Sequence, residues 1–411
     1  MAKHIFYDKT LIATIENGKI IFDSVGIEKS GMPLSWKPRI ECCLINALPE
    51  GIRFESLVVL ASKDGSSPNS HVELIPYVDD LPGRFSVENT SAYSNGKQIR
   101  RYMPLPNNLP ETEVQSNLSA AFLRPQSEIR RSARPSFSGY QDKFVANLSV
   151  EDMRLVLNSP KPNERGNVIV KPGSPNYPYI AENEYACMKM AQSMGLDVPR
   201  VFLFRQLDAG SVIERQRRHF IIERFDYALN QDGEPEKLEI TDIASLMGLD
   251  SETKYNKTTE ELFQTAKEYL STEDMKNFAD MYFFGILVCN SDMHTKNFSF
   301  VIDPESHNYR PTPLYDCLCT AIYGFSDTLA LSLGGTERPK MKSVISFMES
   351  FLSVNEMRKL TEGVKLNIGV SLDTVFDLKN PKEASARNCI STAVINRTTT
   401  VLKELEAFDR I

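Results

Sequence analysis

A short polar loop between two apolar segments constrains the fold of this chain more than any other feature of its sequence. Residues 281–289 are almost entirely apolar, residues 298–302 are mostly apolar again, and the loop between them carries Asp292 and Asn297. A further aspartate, Asp316, follows Pro313 and two more residues. Catalytic side chains commonly lie on loops that a rigid scaffold holds in place. The pattern therefore predicts a functional site, and a polar surface loop is the alternative.

The spacing of these residues is typical of phosphoryl transfer. In that chemistry an aspartate orients the attacking hydroxyl, and an asparagine five residues later holds magnesium together with a second aspartate. Asp292 would then be the catalytic residue. Asn297 and Asp316 would be the metal ligands, because Mg²⁺ prefers oxygen donors and usually takes only one or two carboxylates besides the phosphates of the nucleotide. The spacing alone recurs by chance, so the prediction depends on the flanking apolar segments.

Length and charge limit the classes of function. A chain of 411 residues is expected to form two or three domains, and 41% apolar and 25% charged residues are an ordinary globular balance. The net charge of −7 argues against a chain that clamps nucleic acid directly, which needs a basic surface. Any contact with DNA is expected to be indirect.

The cysteines and the N-terminal residues indicate a cytoplasmic protein. The seven cysteines show no C-x-x-C spacing, which is typical of reduced thiols and gives no zinc pattern. Residues 1–9 carry charges where a secretory signal would be apolar. No apolar run approaches the ~20 residues of a membrane span. We therefore expect a soluble, cytoplasmic chain without a membrane partner.

Three regions are predicted along the chain. Residues 1–110 begin with short apolar runs around Asn17-Gly18, the signature of a β-hairpin, and end in a proline- and asparagine-rich stretch typical of a linker. Residues 111–226 are rich in predicted strands and end in a strand at 219–227. Residues 227–411 are predicted to be mainly helical, with apolar stripes at 260–270, at 274–288 and from 340 onward.

The strand-rich region contains further candidates whose interpretation stays open on the residues alone. Residues 134–143 hold one glycine among small residues, which could turn backbone amides toward a phosphate, but a hairpin turn is the simpler interpretation. Lys171 ends an apolar run and could contact phosphates, as could any lysine that ends a strand. Glu184 lies in a helix predicted to begin at Asn183. It either complements the helix dipole, the simpler interpretation, or reaches Lys171.

Several motifs in order and at matching spacing resemble one protein family. The chain is similar to the HipA family of bacterial toxin kinases between about residue 136 and residue 335, and more loosely in its N-terminal part. The motifs that carry the resemblance are Ser136-x-Ser138-Gly139-x-Gln141-x-Lys143, Val170-Lys171, Asn183-Glu184-Tyr185, Glu223-Arg224-Phe225-Asp226, Asp292-x-His294-x-Lys296-Asn297 and Leu314-Tyr315-Asp316.

The resemblance implies a fold, a reaction and partners. The fold class would be α+β: a two-lobed HipA-like kinase with a β-rich N-terminal lobe, an added N-terminal subdomain and a mainly helical C-terminal lobe. The protein would use ATP and Mg²⁺ to phosphorylate serine or threonine in a protein, for which the family suggests an aminoacyl-tRNA synthetase. A small helix-turn-helix antitoxin would bind it, and DNA would be contacted only through that antitoxin.

The resemblance also implies roles for individual residues. Asp292 resembles the catalytic aspartate, and Asn297 and Asp316 resemble the metal ligands. Autophosphorylation would fall on Ser136 or Ser138. The residues that would bind the nucleotide are Lys171, the backbone of Glu223 and Phe225, Asp226, His294, Lys296, Tyr315, Glu184 and a phosphate-cradling loop of Phe137, Ser138, Gly139, Tyr140, Gln141 and Asp142.

Two other functions remain possible from the sequence. One is an inactive or regulatory relative that only binds a DNA-binding antitoxin, and the other is a kinase for a small molecule. An active protein kinase is favoured because the lysine, both aspartates and the asparagine are all present.

Overall fold

A computed structural model describes most of the chain from Lys3 to Phe408. The described residues are 3–8, 10–32, 34–46, 48, 58, 61–62, 68, 70–77, 81, 84–88, 101–110, 114–116, 143–160, 164–206, 217–250, 252–303, 306, 308–325 and 328–408. No helix within these ranges is both long and apolar enough to cross a membrane.

An antiparallel sheet forms at the start of the chain. Its four strands pair in the order β3-β2-β1-β4, and Asn17 and Gly18 connect β2 to β3 with positive φ angles of 50° and 74°, as the predicted two-residue turn requires. Two helices pack with the sheet around Ile5, Ile27 and Leu44, which are fully buried. The elements are β1 (Lys3–Tyr7), β2 (Thr10–Glu16), β3 (Lys19–Phe22), α1 (Ser24–Lys29), α2 (Lys37–Asn46) and β4 (Phe85–Glu88).

A six-stranded sheet follows, in the order β11-β12-β10-β7-β8-β6. Its strands are antiparallel except β6, which pairs in parallel with β8. The register sets Lys171, the last residue of β10, opposite Phe220 of β12. The strands of this region are β5 (Arg101–Tyr102), β6 (Gln115–Ser116), β7 (Phe144–Glu151), β8 (Arg154–Asn158), β9 (Glu164–Arg165), β10 (Val168–Lys171), β11 (Val201–Gln206) and β12 (Arg217–Glu223).

Short strands continue beyond residue 226, where the sequence predicted mainly helix. Strands β13 (Tyr227–Leu229) and β14 (Pro235–Lys237) form a hairpin. Strands β15 (Glu239–Asp242), β16 (Ser299–Ile302) and β17 (Tyr309–Pro311) form a sheet in that order. The sequence pattern carried no indication of these strands within the region that it predicted to be mainly helical. The partner of β15 lies about sixty residues later, so no local pattern reveals the pairing.

Helices make up most of the remaining chain. Helix α6 is buried on nearly every side, and its Phe278, Tyr282 and Phe284 lie in the largest hydrophobic core. Thr258 and Ser353 begin two helices with complete capping boxes. The helices are α3 (Ile180–Ser193), α4 (Ile243–Leu246), α5 (Thr259–Tyr269), α6 (Thr272–Leu287), α7 (Met341–Met348), α8 (Val354–Asp373) and α9 (Pro381–Phe408).

Helix α3 begins earlier than the sequence predicted. It starts at Ile180 after Tyr179, whose φ is +63° and whose side chain makes no capping bond. Because that start lacks a capping residue, the sequence placed the helix at Asn183. Glu184 therefore lies in the second turn of α3, and the prediction that it complements the helix dipole in the first turn was wrong.

Candidate active site

The loop that carries Asp292 leaves α6 through a strained position. Cys289 has a positive φ of 59°, which is uncommon for a residue other than glycine. Asn290, which is buried, accepts a hydrogen bond at Oδ1 from the Asp292 amide (3.1 Å) and donates from Nδ2 to the carbonyl of Asp316 (3.2 Å). This one amide therefore ties the predicted catalytic residue to the segment of the second predicted metal ligand.

Asp292 is held from two directions. The Tyr255 hydroxyl donates to its Oδ1 (2.9 Å), and the Asn297 side chain donates from Nδ2 to its backbone carbonyl (2.6 Å). Its carboxyl side chain keeps 17% of its surface exposed. Because the Nδ2 of Asn297 is used inside the loop, the Oδ1 of Asn297 is the atom suited to a cation. The D-x-x-x-x-N spacing thus corresponds to a closed loop with two oxygen donors.

His294 is a neutral residue packed beside Asp292. Its Nδ1 accepts from the Lys296 amide (3.2 Å), and its ring contacts Tyr255 edge-on at 5.0 Å. Burial, together with the positive charge of Lys254, lowers the pKa of His294 to about 3. A neutral ring that accepts at Nδ1 carries its proton on Nε2, 4.0 Å from the Asp292 carboxylate.

Lys171 is bonded to two carboxylates. Its ammonium lies 2.5 Å from Oε1 of Glu184 and also contacts Oδ1 of Asp316. Lys171 and Glu184 are buried, whereas the Asp316 side chain is 30% exposed. The second interpretation of Glu184, that it reaches Lys171, matches this geometry. Asp316 has a φ of +52°, so its backbone is in the left-handed region.

The two carboxylates that share the Lys171 ammonium have opposite pKa shifts. Burial raises the pKa of Glu184 to about 7, although Lys171 opposes this. Loss of solvent would also raise the pKa of Asp316, but the charges of Lys171 and Lys143 outweigh it and lower the pKa to about 2. Burial likewise opposes the charge of Lys171, and the two carboxylates outweigh it and raise its pKa. Asp316 and Lys171 are therefore ionised at neutral pH.

The donors present fit a hard divalent cation. Asp316 offers an ionised carboxylate and Asn297 an amide oxygen, both of which are ligands that Mg²⁺ accepts. Oε2 of Glu184 is buried and has no hydrogen-bond partner among the described residues. Within the described residues no group of three or more histidine, cysteine and carboxylate side chains lies together as a metal site.

The predicted adenine and ribose contacts lie at the end of β12. The Glu223 amide donates to the carbonyl of Arg200 (2.9 Å), and the Arg200 guanidinium holds the Glu223 carboxylate at 2.5 Å and 2.7 Å. Both carboxylate oxygens of Asp226 accept from Arg224, at 2.9 Å and 2.5 Å. A ribose at Asp226 would therefore share that carboxylate with Arg224.

Contacts between distant parts of the chain meet at this site through Phe225, Tyr315 and Lys296. The rings of Phe225 and Tyr315 lie 5.6 Å apart, and the Tyr315 hydroxyl donates to the Lys296 carbonyl (3.0 Å). The Lys296 ammonium, which the sequence assigned to the nucleotide, donates to the carbonyl of Asn46 at the end of α2 (3.4 Å). The structure thus gives that ammonium a contact with the N-terminal part of the chain.

The predicted phosphate loop lies outside the described residues. This applies to Ser136, Phe137, Ser138, Gly139, Tyr140, Gln141 and Asp142, and so to both predicted autophosphorylation sites. Those assignments stay predictions.

Sequence reasoning assigned no role in the site to Asn290, Tyr255 or Asn183. Asn290 links the two loops, Tyr255 holds Asp292, and Asn183 pairs with the backbone of Cys319. Asn290 could have been found as the polar residue that ends an apolar run just before Asp292. Tyr255 and Asn183 reach partners 37 and 136 residues away, for which the sequence carries no local signal.

Comparison with known proteins gives consistent results. Residues 135–372 match the family model of the HipA-like C-terminal domain. A proposed kinase of Sinorhizobium fredii is 30% identical over 338 residues, which cover 80% of this chain and 72% of the relative. A proposed kinase of Haemophilus influenzae is 28% identical over 47% of this chain, and the match spans only 56% of that relative.

A solved structure matches the whole chain. It belongs to the toxin–antitoxin complex of HipA, HipB and operator DNA from Shewanella oneidensis MR-1, with a TM-score of 0.72 at 18% identity over 100% of this chain and 99% of that one. At this identity the likeness concerns the fold. It confirms the predicted α+β HipA-like architecture.

Proposed function

This chain belongs to the family of the HipA-like C-terminal domain, and we propose that it is an ATP- and Mg²⁺-dependent protein kinase that phosphorylates serine or threonine. The observation that carries the proposal is the pairing of Lys171 with Glu184 and Asp316, beside a loop that holds Asp292 and Asn297. A lysine paired with a helix glutamate, a catalytic aspartate, an asparagine and a second aspartate are the parts that protein kinases use for phosphoryl transfer.

Each part has a task that its environment supports. Lys171, fixed by Glu184, would contact the phosphates of ATP. The backbone of Glu223 and Phe225 would meet the adenine and Asp226 the ribose, with His294 and Tyr315 lining the pocket. Because His294 is neutral at physiological pH, its ring places no positive charge beside Asp292.

Asn297 and Asp316 would hold Mg²⁺, which when bound neutralises charge on the phosphates. Asp316 is prepared for this because its pKa of about 2 keeps it ionised across the physiological range. Asp292 would orient the substrate hydroxyl and accept its proton. The hydrogen bond from Tyr255 fixes the direction of its carboxylate, as positioning of a nucleophile requires.

The same kinase would modify its own phosphate loop on Ser136 or Ser138. A phosphoserine adds a charge of about −1.5 to −2 beside the triphosphate that this loop would cradle. The like charges of the phosphoserine and the triphosphate would repel each other. Nucleotide binding would fall, so the modification would switch the enzyme off.

The proposed setting is a toxin–antitoxin system in the cytoplasm. The solved complex that shares this fold contains HipA, HipB and operator DNA, which supports a small helix-turn-helix antitoxin as the partner of this chain. DNA would be contacted through that antitoxin. The protein substrate would be a component of translation such as an aminoacyl-tRNA synthetase, as the family resemblance implies.

Transfer of labelled phosphate tests this function. Purified protein is incubated with γ-labelled ATP and Mg²⁺, alone and with bacterial extract, and the acceptors are identified by mass spectrometry. We expect label on a serine or threonine of an extract protein and on Ser136 or Ser138, and none with Asp292→Ala. Label on small molecules alone would indicate the small-molecule kinase, and no transfer would indicate the inactive binding module. Either result would overturn the proposal.

A further inference from the structure

Asn183 is a fully buried residue of α3 whose side-chain amide bonds to backbone outside the helix and also accepts from Cys187 Sγ within it (3.7 Å). Its Nδ2 donates to the carbonyl of Cys319 (2.8 Å), and its Oδ1 accepts from the amide of the same residue (3.0 Å). An amide side chain that meets both backbone groups of one residue behaves like a neighbouring β-strand. The pair therefore fixes both the position and the orientation of the backbone at Cys319.

This contact joins the two elements that carry the carboxylates around Lys171. Glu184 is the next residue in α3, and Asp316 precedes Cys319 by three residues. Cys319 is completely buried, so water cannot replace the amide if it is removed. Further contacts surround the pair: Nδ2 of Asn183 lies 3.5 Å from the Tyr323 hydroxyl, which itself donates to the carbonyl of Pro178 ahead of the helix (3.2 Å).

The same segment is held to the loop of Asp292 from its other side. Thr320, which follows Cys319, donates from its hydroxyl to the carbonyl of Cys289 (3.0 Å) and accepts from the amide of Ser291 (2.8 Å). The segment after Asp316 therefore lies between α3 and the loop that carries Asp292. Its backbone at Cys319 bonds to Asn183 of α3, and Thr320 bonds to the backbone of Cys289 and Ser291. Loss of the α3 side would leave the backbone of this segment, which has a left-handed φ of +52° at Asp316, held by Asn290 and Thr320 alone among the contacts described above.

We infer that Asn183 is a positioning residue that locks α3 to the segment following Asp316, so that the ligand geometry at Asp316 depends on this amide. The inference rests on the proposed function for its meaning, because it takes Asp316 to be a metal ligand. Asn183 itself is neither a ligand nor a contact of the substrate. Its effect would be on the affinity for the divalent cation and on the rigidity of residues 317–323.

Asn183→Leu tests the inference, because leucine has nearly the same size and makes no hydrogen bonds. Asn167→Leu is the matched control. Asn167 is also buried and also pairs with both backbone groups of one residue, Leu148, at 2.8 Å and 3.0 Å, but in the β7–β10 part of the sheet. Asn183→Ser, a milder change that cannot span both backbone groups, serves if the leucine variant fails to fold.

Two measurements are made on each folded variant. Mn²⁺ binding is followed by electron paramagnetic resonance with ATP present, and hydrogen exchange is followed in the protein without ligands. For the Asn183 variants we expect Mn²⁺ affinity to fall about tenfold, affinity for ATP without metal to stay within about twofold, and exchange of residues 317–323 to accelerate. The Asn167 variant should match the wild type in Mn²⁺ affinity and in exchange of that segment.

The outcomes separate this inference from the proposed function. If wild-type protein transfers phosphate but a folded Asn183 variant keeps wild-type Mn²⁺ affinity and exchange, the positioning role is wrong. If Asn167→Leu lowers the Mn²⁺ affinity as much as the Asn183 variants do, the effect reflects a general loss of stability, and the inference also fails. If the wild type neither binds Mn²⁺ with ATP nor transfers phosphate, the proposed function fails, and the exchange measurement alone still decides whether Asn183 locks the segment.

Discussion

Lys171 contacts two carboxylates at once, yet burial and the other nearby charges give these carboxylates opposite pKa shifts. Asp316, partly exposed, has a pKa of about 2, whereas Glu184, fully buried, has a pKa of about 7. A buried ion pair adds little net stability, because desolvation offsets the Coulomb attraction. We therefore interpret the arrangement as one that orients groups, with Lys171 as the fixed cation between them.

Glu184→Gln is expected to flatten the pH dependence of stability. Burial raises the pKa of Glu184 from 4.5 to about 7, so the folded state keeps a proton that the unfolded chain loses. The associated stability is complete below about pH 4.5 and is lost as pH rises through about 7. Between about pH 5.5 and 8, the free energy of unfolding of the wild type should fall by about 1–3 kcal/mol more than that of the variant, as measured with urea.

Glu356→Gln is the control for this measurement. Bonds from Ser353 lower the pKa of Glu356, so its contribution is constant above the unfolded value of 4.5 and is lost only in acid. The control should therefore shift stability equally at both pH values. Parallel pH profiles for the wild type and Glu184→Gln would show that Glu184 is already ionised in the folded protein.

Among single residues, the sequence predicted those that follow a fixed spacing. The distance between Asp292 and Asn297 in the chain reflects a closed loop, whose Asn297–Asp292 bond is local. The partner of Glu184 could not be decided, because two physical effects explain a glutamate near a helix start. Tyr179 precedes α3 and makes no side-chain capping bond, so the sequence lacked the helix-start signal that would have decided between the two effects.

At the scale of elements, the sequence predicted helices and turns whose signals lie within the element, and it missed strands whose partners lie far along the chain. The hairpin at Asn17-Gly18 and helices α5 and α6 were predicted because turn residues, caps and apolar stripes are contained within each element. Strand β15 was missed because it depends on β16, far along the chain. The same limit applies to the docking of α2 against α4, which joins residues about 200 positions apart.

Helix α2 reaches the loop that carries Asp292 through its last residue, Asn46. The Asn46 side chain donates to the Ser245 hydroxyl and to the carbonyl of Leu249, both at 2.9 Å, while its own carbonyl accepts from Lys296 (3.4 Å). Ser245 also donates from its backbone to Asp242, which caps α4 (2.7 Å). Burial raises the pKa of Asp242, and the positive charge of Lys296 partly offsets this. These contacts connect α2, α4 and the loop that carries Asp292.

Asn46→Ala is expected to weaken this connection. Removing the two donated hydrogen bonds leaves the buried Ser245 hydroxyl and the half-buried Leu249 carbonyl without these bonds, at a cost of about 1–3 kcal/mol. Limited proteolysis should then cut the N-terminal region several times faster. Asn158→Ala is the comparison, because Asn158 also donates two bonds, but within its own hairpin, to Ser149 and Glu151. Equal proteolysis of the N-terminal region in both variants would argue against docking through Asn46.

At the scale of the whole molecule, polar contacts join the N-terminal sheet to the rest of the chain. Arg84 bonds to Asp8 (3.2 Å) within that part and to Glu236 (2.5 Å) of β14, and its amide donates to Glu239 (3.2 Å). Lys237 also donates to the carbonyl of Leu81. Such an interface resembles those between domains, which permit relative motion. The division at residues 110 and 226 stays a prediction.

The central claim is that Asp292 is required for phosphoryl transfer but not for the binding of ATP and Mg²⁺. The most direct test compares the initial rate of phosphate transfer from ATP with the affinity for ATP and Mg²⁺ in Asp292→Asn. Asp280→Asn, which alters a carboxylate paired with Lys276 on α6, is the control. We predict a rate about 10²–10⁴-fold lower for Asp292→Asn with unchanged affinity, and a wild-type rate for Asp280→Asn. Transfer by Asp292→Asn at the wild-type rate would contradict the account.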